Sequence, residues 1–369
     1  MPPTWTDAKH ILCLRLDTIG DLLMTTPAIR ALKQSQPGRH ITLMTSPAGA
    51  QVAPFIPEVD DTLIYDAPWM KATAHRPNSQ TERAMADQLR QAGFDAAVIF
   101  TTFSQSPLPA AFLCYLAEIP LRLAHCHENP YQLLTDWLRD LEPTQFIRHE
   151  VRRHLDLVAS VGGRTADDRL SLKVPAGAPN RVQRLLEERG VDVERPFLVM
   201  HPGVSAPSRQ YPPEQFAEVA RLLAVEHGWQ ILFTGSGAED ALVAGIQQEM
   251  GVPSVSLANA LDLGELGALL HLSPLLIANN TGPVHVAAAV GTPVVDLYAL
   301  TNPQHTPWAV PHRVLFHDVP CKYCFKSVCP EGHHNCLRLV TPHEVVQAVQ
   351  ELLAQAHTFA PQPLTEVLP

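Results

Sequence analysis

The stretch RLDTIGDLLMTTP, residues 15–27, follows the apolar run ILCL at 11–14. An apolar run that ends at a Gly-Asp corner predicts a buried strand followed at once by a helix. Gly20 would let the backbone approach a ligand closely. Asp21 has two interpretations. It is either an acidic residue that caps the helix start, or a general base next to a charge supplied by Arg15.

Outward from this corner, short apolar runs alternate with helical patterns. Strands are predicted at 11–16, 40–46, 61–66 and 95–100, and helices at 21–35, 48–56, 79–92 and 149–161. This βαβα order predicts a parallel sheet that is covered by helices on both faces.

The same pattern restarts after SLKVPAGAPN, residues 171–180, which has the composition of a linker. Strand-and-loop units are predicted at 196–203, 229–237, 273–283 and 292–299, and helices at 213–227 and 341–355. We therefore expect two α/β domains, 1–172 and 173–356, with a cleft between them and a flexible tail at 357–369. In open α/β sheets, ligands bind at the carboxyl ends of the strands.

Composition narrows the class of protein. The 369 residues carry a formal net charge of −10, which argues against a nucleic-acid partner. No apolar stretch reaches 18 residues, and the N-terminus lacks a secretory pattern. We therefore expect a cytoplasmic protein whose seven cysteines are reduced.

Polar loops after the predicted strands of the second half offer an anion site. In HPGVSAPSRQ, residues 201–210, Gly203 and Ser205 lie between a strand and a helix, where backbone N–H groups can hold an anion. Arg209 either pairs with a phosphate or is a solvated loop arginine. In ANNTGPVHVAAAVGTP, residues 278–293, the amides of Thr281 and Gly282 could meet a diphosphate. His285 is either part of that site or a core histidine.

The glycine-rich turn LFTGSGAED, residues 232–240, has Asp240 where a dinucleotide fingerprint would have its third glycine. This argues against a Rossmann oxidoreductase. Glu239 could accept hydrogen bonds from the two hydroxyls of a sugar. The alternative is an acid that simply starts a helix.

A cysteine run, CKYCFKSVCPEGHHNC, occupies residues 321–336. Four thiols (Cys321, Cys324, Cys329 and Cys336) within 16 residues predict a tetrahedral metal site. A buried thiol cluster or a disulfide is the alternative. An alternative function for the whole chain is a binding module built around this metal finger. The two complete α/β halves argue against it.

Four motifs, in their order and spacing, resemble glycosyltransferase family 9, the ADP-heptose:lipopolysaccharide heptosyltransferases. They are ILCLRLDTIGDLLMTTPAIRALK, HPGVSAPSRQYPPEQFAEVARLL, LFTGSGAED and NNTGPVHVAAAVGTPVVDLYALTNPQHTPW, and the resemblance spans residues 11–352. It implies a GT-B fold of two Rossmann-like domains facing a cleft, with the acceptor on the N-terminal domain and the nucleotide-sugar on the C-terminal one. It also implies inverting, metal-independent transfer of heptose from ADP-L-glycero-D-manno-heptose to the inner core of lipopolysaccharide.

The resemblance also implies residue roles. Asp21, after Gly20, matches the catalytic aspartate, and Ser205 and Arg209 match positions that meet the diphosphate. Glu239 matches the ribose-binding acid, and Leu261 matches a residue whose backbone meets the adenine. The motif around the phosphates and sugar is matched by Thr281, Gly282 and His285. Asn280 departs from the pattern, because the family usually has aspartate there. This departure leaves open a GT-B enzyme with another nucleotide-sugar or a non-lipopolysaccharide acceptor.

The resemblance further implies the partners. The donor would be an ADP-sugar, and catalysis would need no cofactor. The acceptor would be a lipid-anchored oligosaccharide, so the enzyme would touch the inner face of the cytoplasmic membrane peripherally. A related branch of the family carries a four-cysteine iron finger, which gives the cysteine run a structural role with zinc or iron.

Overall fold

A computed structural model describes residues 3–71 and 73–356. The expected tail, 357–369, lies outside the described residues. The chain divides into two compact units, with the boundary between Lys173 and Val174 inside the predicted linker. Each unit is an α/β layer structure with its own six-stranded sheet.

The first unit builds its sheet in the order β3-β2-β1-β4-β5-β6, with all neighbours parallel. The strands are β1 His10–Arg15, β2 His40–Thr45, β3 Asp61–Ile64, β4 Ala96–Ile99, β5 Leu121–Cys126 and β6 Asp136–Arg139. The helices are α1 Ile19–Ser35, α2 Gln80–Ala92, α3 Leu108–Leu116 and α4 Glu150–Ala159. The chain leaves β1 toward β2 and later returns to β4 on the other side. The point between β1 and β4 is therefore the topological switch point, where loops diverge and ligands bind.

The four strands predicted in this half are confirmed, with their ends displaced by at most two residues. The helix predicted at 48–56 is wrong, because two separate 3₁₀ turns, Gly49–Gln51 and Ala53–Phe55, occupy that segment. Pro54 has no amide hydrogen to donate and Gly49 disfavours a helix interior, so most backbone bonds of this segment are short i→i+3 bonds. The sequence analysis did not identify α3, β5 or β6.

The second unit repeats this plan in the order β12-β11-β10-β7-β8-β9, again with parallel neighbours. The strands are β7 Phe197–His201, β8 Gln230–Phe233, β9 Val255–Ser256, β10 Leu276–Asn279, β11 Val294–Leu297 and β12 His312–Leu315. The helices are α5 Ala178–Glu188, α6 Pro213–His227, α7 Asp240–Met250, α8 Leu263–Leu272, α9 Gly282–Val290, α10 Asn335–Arg338 and α11 Pro342–Ala356. Its switch point lies between β7 and β10.

The prediction of two Rossmann-like parallel-sheet halves is confirmed by this topology. The helices predicted at 213–227 and 341–355 are confirmed as α6 and α11. The central strands β1, β4, β7 and β10 carry mainly apolar side chains, and these are almost entirely buried. Arg15, His201 and Asn279 are the carboxyl-terminal residues of β1, β7 and β10, so these strands end in polar side chains. Within the described part of the chain, every helix is too short or too polar to cross a membrane.

Candidate functional site

Asp21 lies in the first turn of α1, just beyond the carboxyl end of β1. Its Oδ2 accepts hydrogen bonds from the Thr18 backbone N–H at 3.1 Å and from the Thr18 hydroxyl at 2.7 Å. Its Oδ1 lies 3.5 Å from Nη2 of Arg15. One oxygen of Asp21 therefore caps the helix start, while the other faces a buried cation.

The Arg15 guanidinium is fully buried and contacts carboxylates from two separate parts of the chain. Its Nε lies 3.0 Å from Asp17, and its Nη1 lies 3.1 Å from Glu150 on α4. Burial opposes the charge of Arg15, but the carboxylates of Asp17, Glu150 and Asp21 outweigh it and raise the pKa of the guanidinium. Arg15 is therefore a fixed positive charge that orders the acidic side chains around it.

Three further side chains complete this cluster, and the sequence analysis identified none of them. Glu150 and His154 stand one turn apart on α4, with His154 Nε2 3.2 Å from the Glu150 carboxylate. Burial lowers the pKa of His154 and keeps the imidazole neutral. Gln105, in the loop after β4, donates a 2.6 Å hydrogen bond to Asp17. The loops after β1 and β4 therefore meet at the switch point of the first sheet.

Asp17 is the member of the cluster with the most perturbed protonation. Burial raises its pKa to about 6, and the negative charges of Asp21 and Glu150 add to this rise against the opposing effects of Arg15 and Gln105. Burial is the main physical cause, and repulsion from the other two carboxylates that contact the Arg15 guanidinium adds to it. A proton held at Asp17 relieves this repulsion below about pH 6.

We expect this proton to make stability depend on pH. A carboxyl whose pKa is raised in the folded state contributes most at low pH, and this contribution is lost as the pH rises from about 4 through about 6. Asp17→Asn cannot ionise, so its melting temperature relative to wild type should rise by about 3–6 °C between pH 4.5 and 7.5. Thermal unfolding of both proteins at several pH values measures this difference.

The matched control is Asp87→Asn, which changes an exposed acid on α2 of the same unit. Its melting temperature should follow that of the wild type at every pH. A difference between Asp17→Asn and wild type that stays constant from pH 4.5 to 7.5 would show that Asp17 ionises normally.

In the second unit, Gly203 and Glu239 fit against each other. Glu239 Oε2 accepts hydrogen bonds from the N–H of Ser236 at 2.6 Å and from its hydroxyl at 3.0 Å. A Cβ placed on Gly203 would lie 1.8 Å from Oε1 of the same carboxylate. The loop after β7 therefore needs glycine at 203 to leave room for the acid that begins the turn after β8.

Leu261 lies beside this turn. It follows β9 and precedes α8, in a loop whose Asn259 N–H donates a 2.9 Å hydrogen bond to the carbonyl of Gly235. The turn carrying Glu239 and the loop carrying half-buried Leu261 are therefore joined at the carboxyl edge of β8 and β9.

Arg209 ends a short 3₁₀ turn after β7, and Ser205 is exposed just before that turn. Across the described residues, the Arg209 guanidinium makes neither an ion pair nor a hydrogen bond. Its charge lowers the pKa of Asp296 on β11, although burial dominates and the net pKa of Asp296 is raised. Arg209 is therefore a cation available to a ligand at this edge.

The loop after β10 brings the Asn-Asn-Thr-Gly run to the same edge. Asn279 is fully buried, donates to the Pro202 carbonyl at 2.8 Å and accepts from the Tyr211 N–H at 3.0 Å. These bonds join the loops after β7 and β10 at the switch point. Thr281 is the N-cap of α9 in an extended conformation, and Gly282 begins the helix. The helix N-terminus therefore offers backbone amides after β10, the strand that pairs with β7, and Arg209 lies in the loop after β7.

The loop after β10 and helix α9 also carry two buried polar side chains, Asn280 and His285. His285, one turn into α9, is buried at 4% exposure. Asn280, at the departing position of the motif, donates to the carboxylate of Asp296 on β11. Sequence analysis did not single out Asp296, although a charged residue inside the apolar run VVDL is a signal that could have identified it.

The four cysteines of 321–336 are free thiols that line one cavity together with His333 and His334. Burial, and then the other three thiols, raise the pKa of Cys336. In the described ranges, no three His, Cys, Asp or Glu side chains are arranged as metal ligands. The donor set and the shared cavity fit zinc or iron chemically, whereas a ligand geometry is not formed.

The cysteine segment also supports the anion site. Ser208, the neighbour of Arg209, donates its N–H to the carbonyl of Ser327 at 3.1 Å and its hydroxyl to the carbonyl of Lys326 at 2.7 Å. The Phe325 N–H donates to the carbonyl of Thr301 at 2.8 Å. The cysteine segment is thereby tied to the turn that carries Arg209.

Two units, each with a six-stranded parallel sheet and polar residues at its switch point, have the architecture of a GT-B fold. The model of glycosyltransferase family 9 (heptosyltransferase) matches residues 82–335. The chain belongs to this family and is a glycosyltransferase.

Individual relatives agree with the family match over nearly the whole length. Lipopolysaccharide heptosyltransferase 2 of Escherichia coli K12 is 26% identical over 359 residues, which cover 94% of this chain and 99% of that protein. The family 9 glycosyltransferase of Veillonella parvula superposes with a TM-score of 0.81 at 22% identity, covering 96% of this chain and 99% of that one. The E. coli ADP-heptose lipopolysaccharide heptosyltransferase II gives a TM-score of 0.72 at 24% identity, covering 94% and 99%. The two structures establish a shared fold.

Proposed function

We propose that this protein transfers heptose from ADP-L-glycero-D-manno-heptose to the inner core of lipopolysaccharide, with inversion at the anomeric carbon and without a catalytic metal. The observation that carries the proposal is Asp21, held between Thr18 and buried Arg15 at the switch point of the first sheet. Near full-length similarity to lipopolysaccharide heptosyltransferase 2 supports the choice of donor and acceptor.

In this mechanism, Asp21 accepts the proton of an acceptor hydroxyl. The hydroxyl oxygen attacks the anomeric carbon as the bond from that carbon to the diphosphate oxygen breaks, and ADP leaves. An aspartate with an ordinary pKa near ~3.9 is a weak base, so proton transfer must come late, when the attacking oxygen has become acidic. Arg15 and Thr18 keep the carboxylate oriented for that step.

The second unit would stabilise the leaving diphosphate. Charge grows on the diphosphate as the bond breaks, and preorganised donors at that position lower the barrier. Arg209 supplies a positive charge, and Ser205 supplies a hydroxyl. Thr281 and Gly282 supply amides at the N-terminus of α9. Glu239 would accept hydrogen bonds from the ribose hydroxyls, and the backbone at Leu261 would meet the adenine.

The function is tested by direct transfer. Purified enzyme, ADP-heptose and a heptose-deficient lipopolysaccharide acceptor should give an acceptor one heptose heavier by mass spectrometry. Asp21→Asn keeps the size of the side chain but removes its basicity, so kcat should fall by about 10²–10⁴-fold. Its Kd for ADP should stay within about twofold of wild type, because Asp21 does not serve the nucleotide.

Asp87→Asn, an exposed acid on α2, is the control and should keep wild-type turnover. Equal losses of turnover and of ADP affinity in Asp21→Asn would contradict the general-base role. Transfer from a different nucleotide-sugar with no transfer from ADP-heptose would retain the enzyme class and overturn the donor.

A glycine substitution tests the nucleotide end. In Gly203→Ala the new methyl group must displace the Glu239 carboxylate, so affinity for ADP should fall by about tenfold through loss of the ribose contact. Gly245→Ala, on α7, adds the same methyl group where no atom lies within 4 Å. It should leave affinity unchanged. Calorimetric titration of ADP compares the two variants, and equal affinities would remove Glu239 from the ribose site.

Membrane contact would be peripheral, at the inner face of the cytoplasmic membrane. Phe112, Tyr115 and Leu116 on α3 are each between 43% and 50% exposed. Their spacing of three and four residues places them on one face of the helix. This apolar face of α3 is our candidate for contact with the lipid that anchors the acceptor.

We also propose that Cys321, Cys324, Cys329 and Cys336 take up a structural zinc or iron that fixes the segment behind Arg209. Elemental analysis of protein purified under reducing conditions should find about one metal per chain. Cys324→Ser/Cys329→Ser should lose the metal and bind ADP more weakly, whereas Cys114→Ala, a buried thiol in the first unit, should retain it. Absence of metal from the wild type, also after incubation with zinc or ferrous iron, would contradict this proposal.

A further inference from the structure

Asp296 is a carboxyl group in an unusual position. It stands on β11 between two other strands of the second sheet and is fully buried. Its Oδ1 has no hydrogen-bond partner among the described residues, and its Oδ2 accepts from Asn280 Nδ2 at 3.3 Å. A buried carboxyl is costly in a sheet core, so its presence needs a reason other than packing.

The geometry of Asn280 suggests that reason. Its side-chain amide has two N–H bonds, and Nδ2 contacts two acceptors, Asp296 Oδ2 at 3.3 Å and the carbonyl of His305 at 2.8 Å. The remaining hydrogen-bonding atom of this amide is its carbonyl oxygen, Oδ1. With both N–H bonds held by β11 and the following loop, Asn280 can present only an acceptor to a ligand.

An acceptor-only side chain is what an aspartate would offer at this position. Asn280 alone could rotate and present either its N–H₂ or its oxygen. Oδ2 of Asp296 and the carbonyl of His305 both accept from Nδ2, so together they fix the amide with both of its N–H bonds occupied. The pair Asn280–Asp296 therefore offers a ligand the same kind of group as a single aspartate would, an oxygen that only accepts. The carboxyl group itself lies on the neighbouring strand, β11.

We propose that Asp296 is a positioning residue for substrate recognition: it orients the Asn280 amide so that Oδ1 accepts a hydrogen bond from a hydroxyl of the donor sugar. Asn280 lies beside Thr281 and Gly282 at the N-terminus of α9, where the diphosphate would bind, so the sugar attached to that diphosphate is within reach. This inference rests on the proposed function, and it adds the group that selects for a sugar hydroxyl.

The test compares the Kd of ADP with that of ADP-heptose, in the absence of acceptor, for each variant. Their ratio isolates the contribution of the sugar. Asp296→Leu has nearly the shape of aspartate but no acceptor, and an apolar residue suits a buried strand, so the variant should fold. We expect the ADP-heptose affinity to fall about 3–10-fold while the ADP affinity stays within twofold.

Two further variants separate positioning from general support of the sheet. Asp296→Asn keeps an oxygen that can accept from Asn280, so it should retain the wild-type ratio. In an Asn280→Ala background, Asp296→Leu should cause no additional loss, because Asp296 acts through Asn280. Equal losses for ADP and ADP-heptose, additive losses in the double variant, or an unchanged ratio in Asp296→Leu would each overturn the inference.

Failure of the proposed function has a different signature. The donor assignment is wrong if the wild type binds ADP-heptose no better than ADP and instead binds both UDP and, in a separate titration, a UDP-sugar. The same ratio, measured for UDP and UDP-glucose in Asp296→Leu, then decides the role of Asp296. Should that ratio also be unchanged, Asp296 does not position Asn280 for any sugar.

Discussion

The guanidinium of Arg15 is fully buried at the end of β1, and Asp17, Asp21 and Glu150 converge on it. A buried cation without partners is costly, so these carboxylates compensate the charge of Arg15 in the folded state. Burial, with a smaller contribution from the negative charges of Asp21 and Glu150, raises the pKa of Asp17 to about 6 against the opposing effect of Arg15. The acidic site of the first unit therefore follows from how Arg15 is compensated.

In the second unit, the loops that follow β7 and β10 at the carboxyl edge of the sheet carry positive rather than negative groups. Parallel strands bring all their carboxyl ends to one edge of the sheet. The strands that follow β7 are added first on its β8 side and then on its β10 side, so the switch point lies between β7 and β10. The loops after these two strands carry Arg209 and the N-terminus of α9, both suited to an anion. Acidic side chains gather at the carboxyl edge of the first sheet, and Arg209 and the N-terminus of α9 stand at that of the second; the proposed function assigns the base to the first unit and the diphosphate site to the second.

Local sequence patterns predicted much of this arrangement, and their limits have physical causes. Apolar runs located β1, β2, β4, β7 and β10, since a buried strand needs apolar side chains on both faces. They did not locate β6, whose alternately half-buried and exposed residues, Asp-Trp-Leu-Arg, give a weak signal. Gly and Pro within 48–56 divided a predicted helix into two turns.

The candidate site shows the same limit. Asp21, Glu239 and the Thr281–Gly282 pair stand in motifs that are continuous in sequence, so they could be identified without a structure. Glu150 is 135 residues from Arg15, and nothing local to either residue indicates their ion pair. The bond from Asn280 to Asp296 likewise depends on the register of β10 against β11. Distant partners of this kind become visible only once the strands are paired.

The account is tested most directly by thermal unfolding of the wild-type protein with ADP, UDP, GDP and CMP, each at the same concentration. A ligand that binds only the folded state raises the melting temperature by mass action. We predict that ADP raises it and that the other three nucleotides leave it within error of the ligand-free protein. A rise with UDP or GDP but not with ADP, or no rise with any nucleotide, would contradict the assignment of an ADP-linked donor.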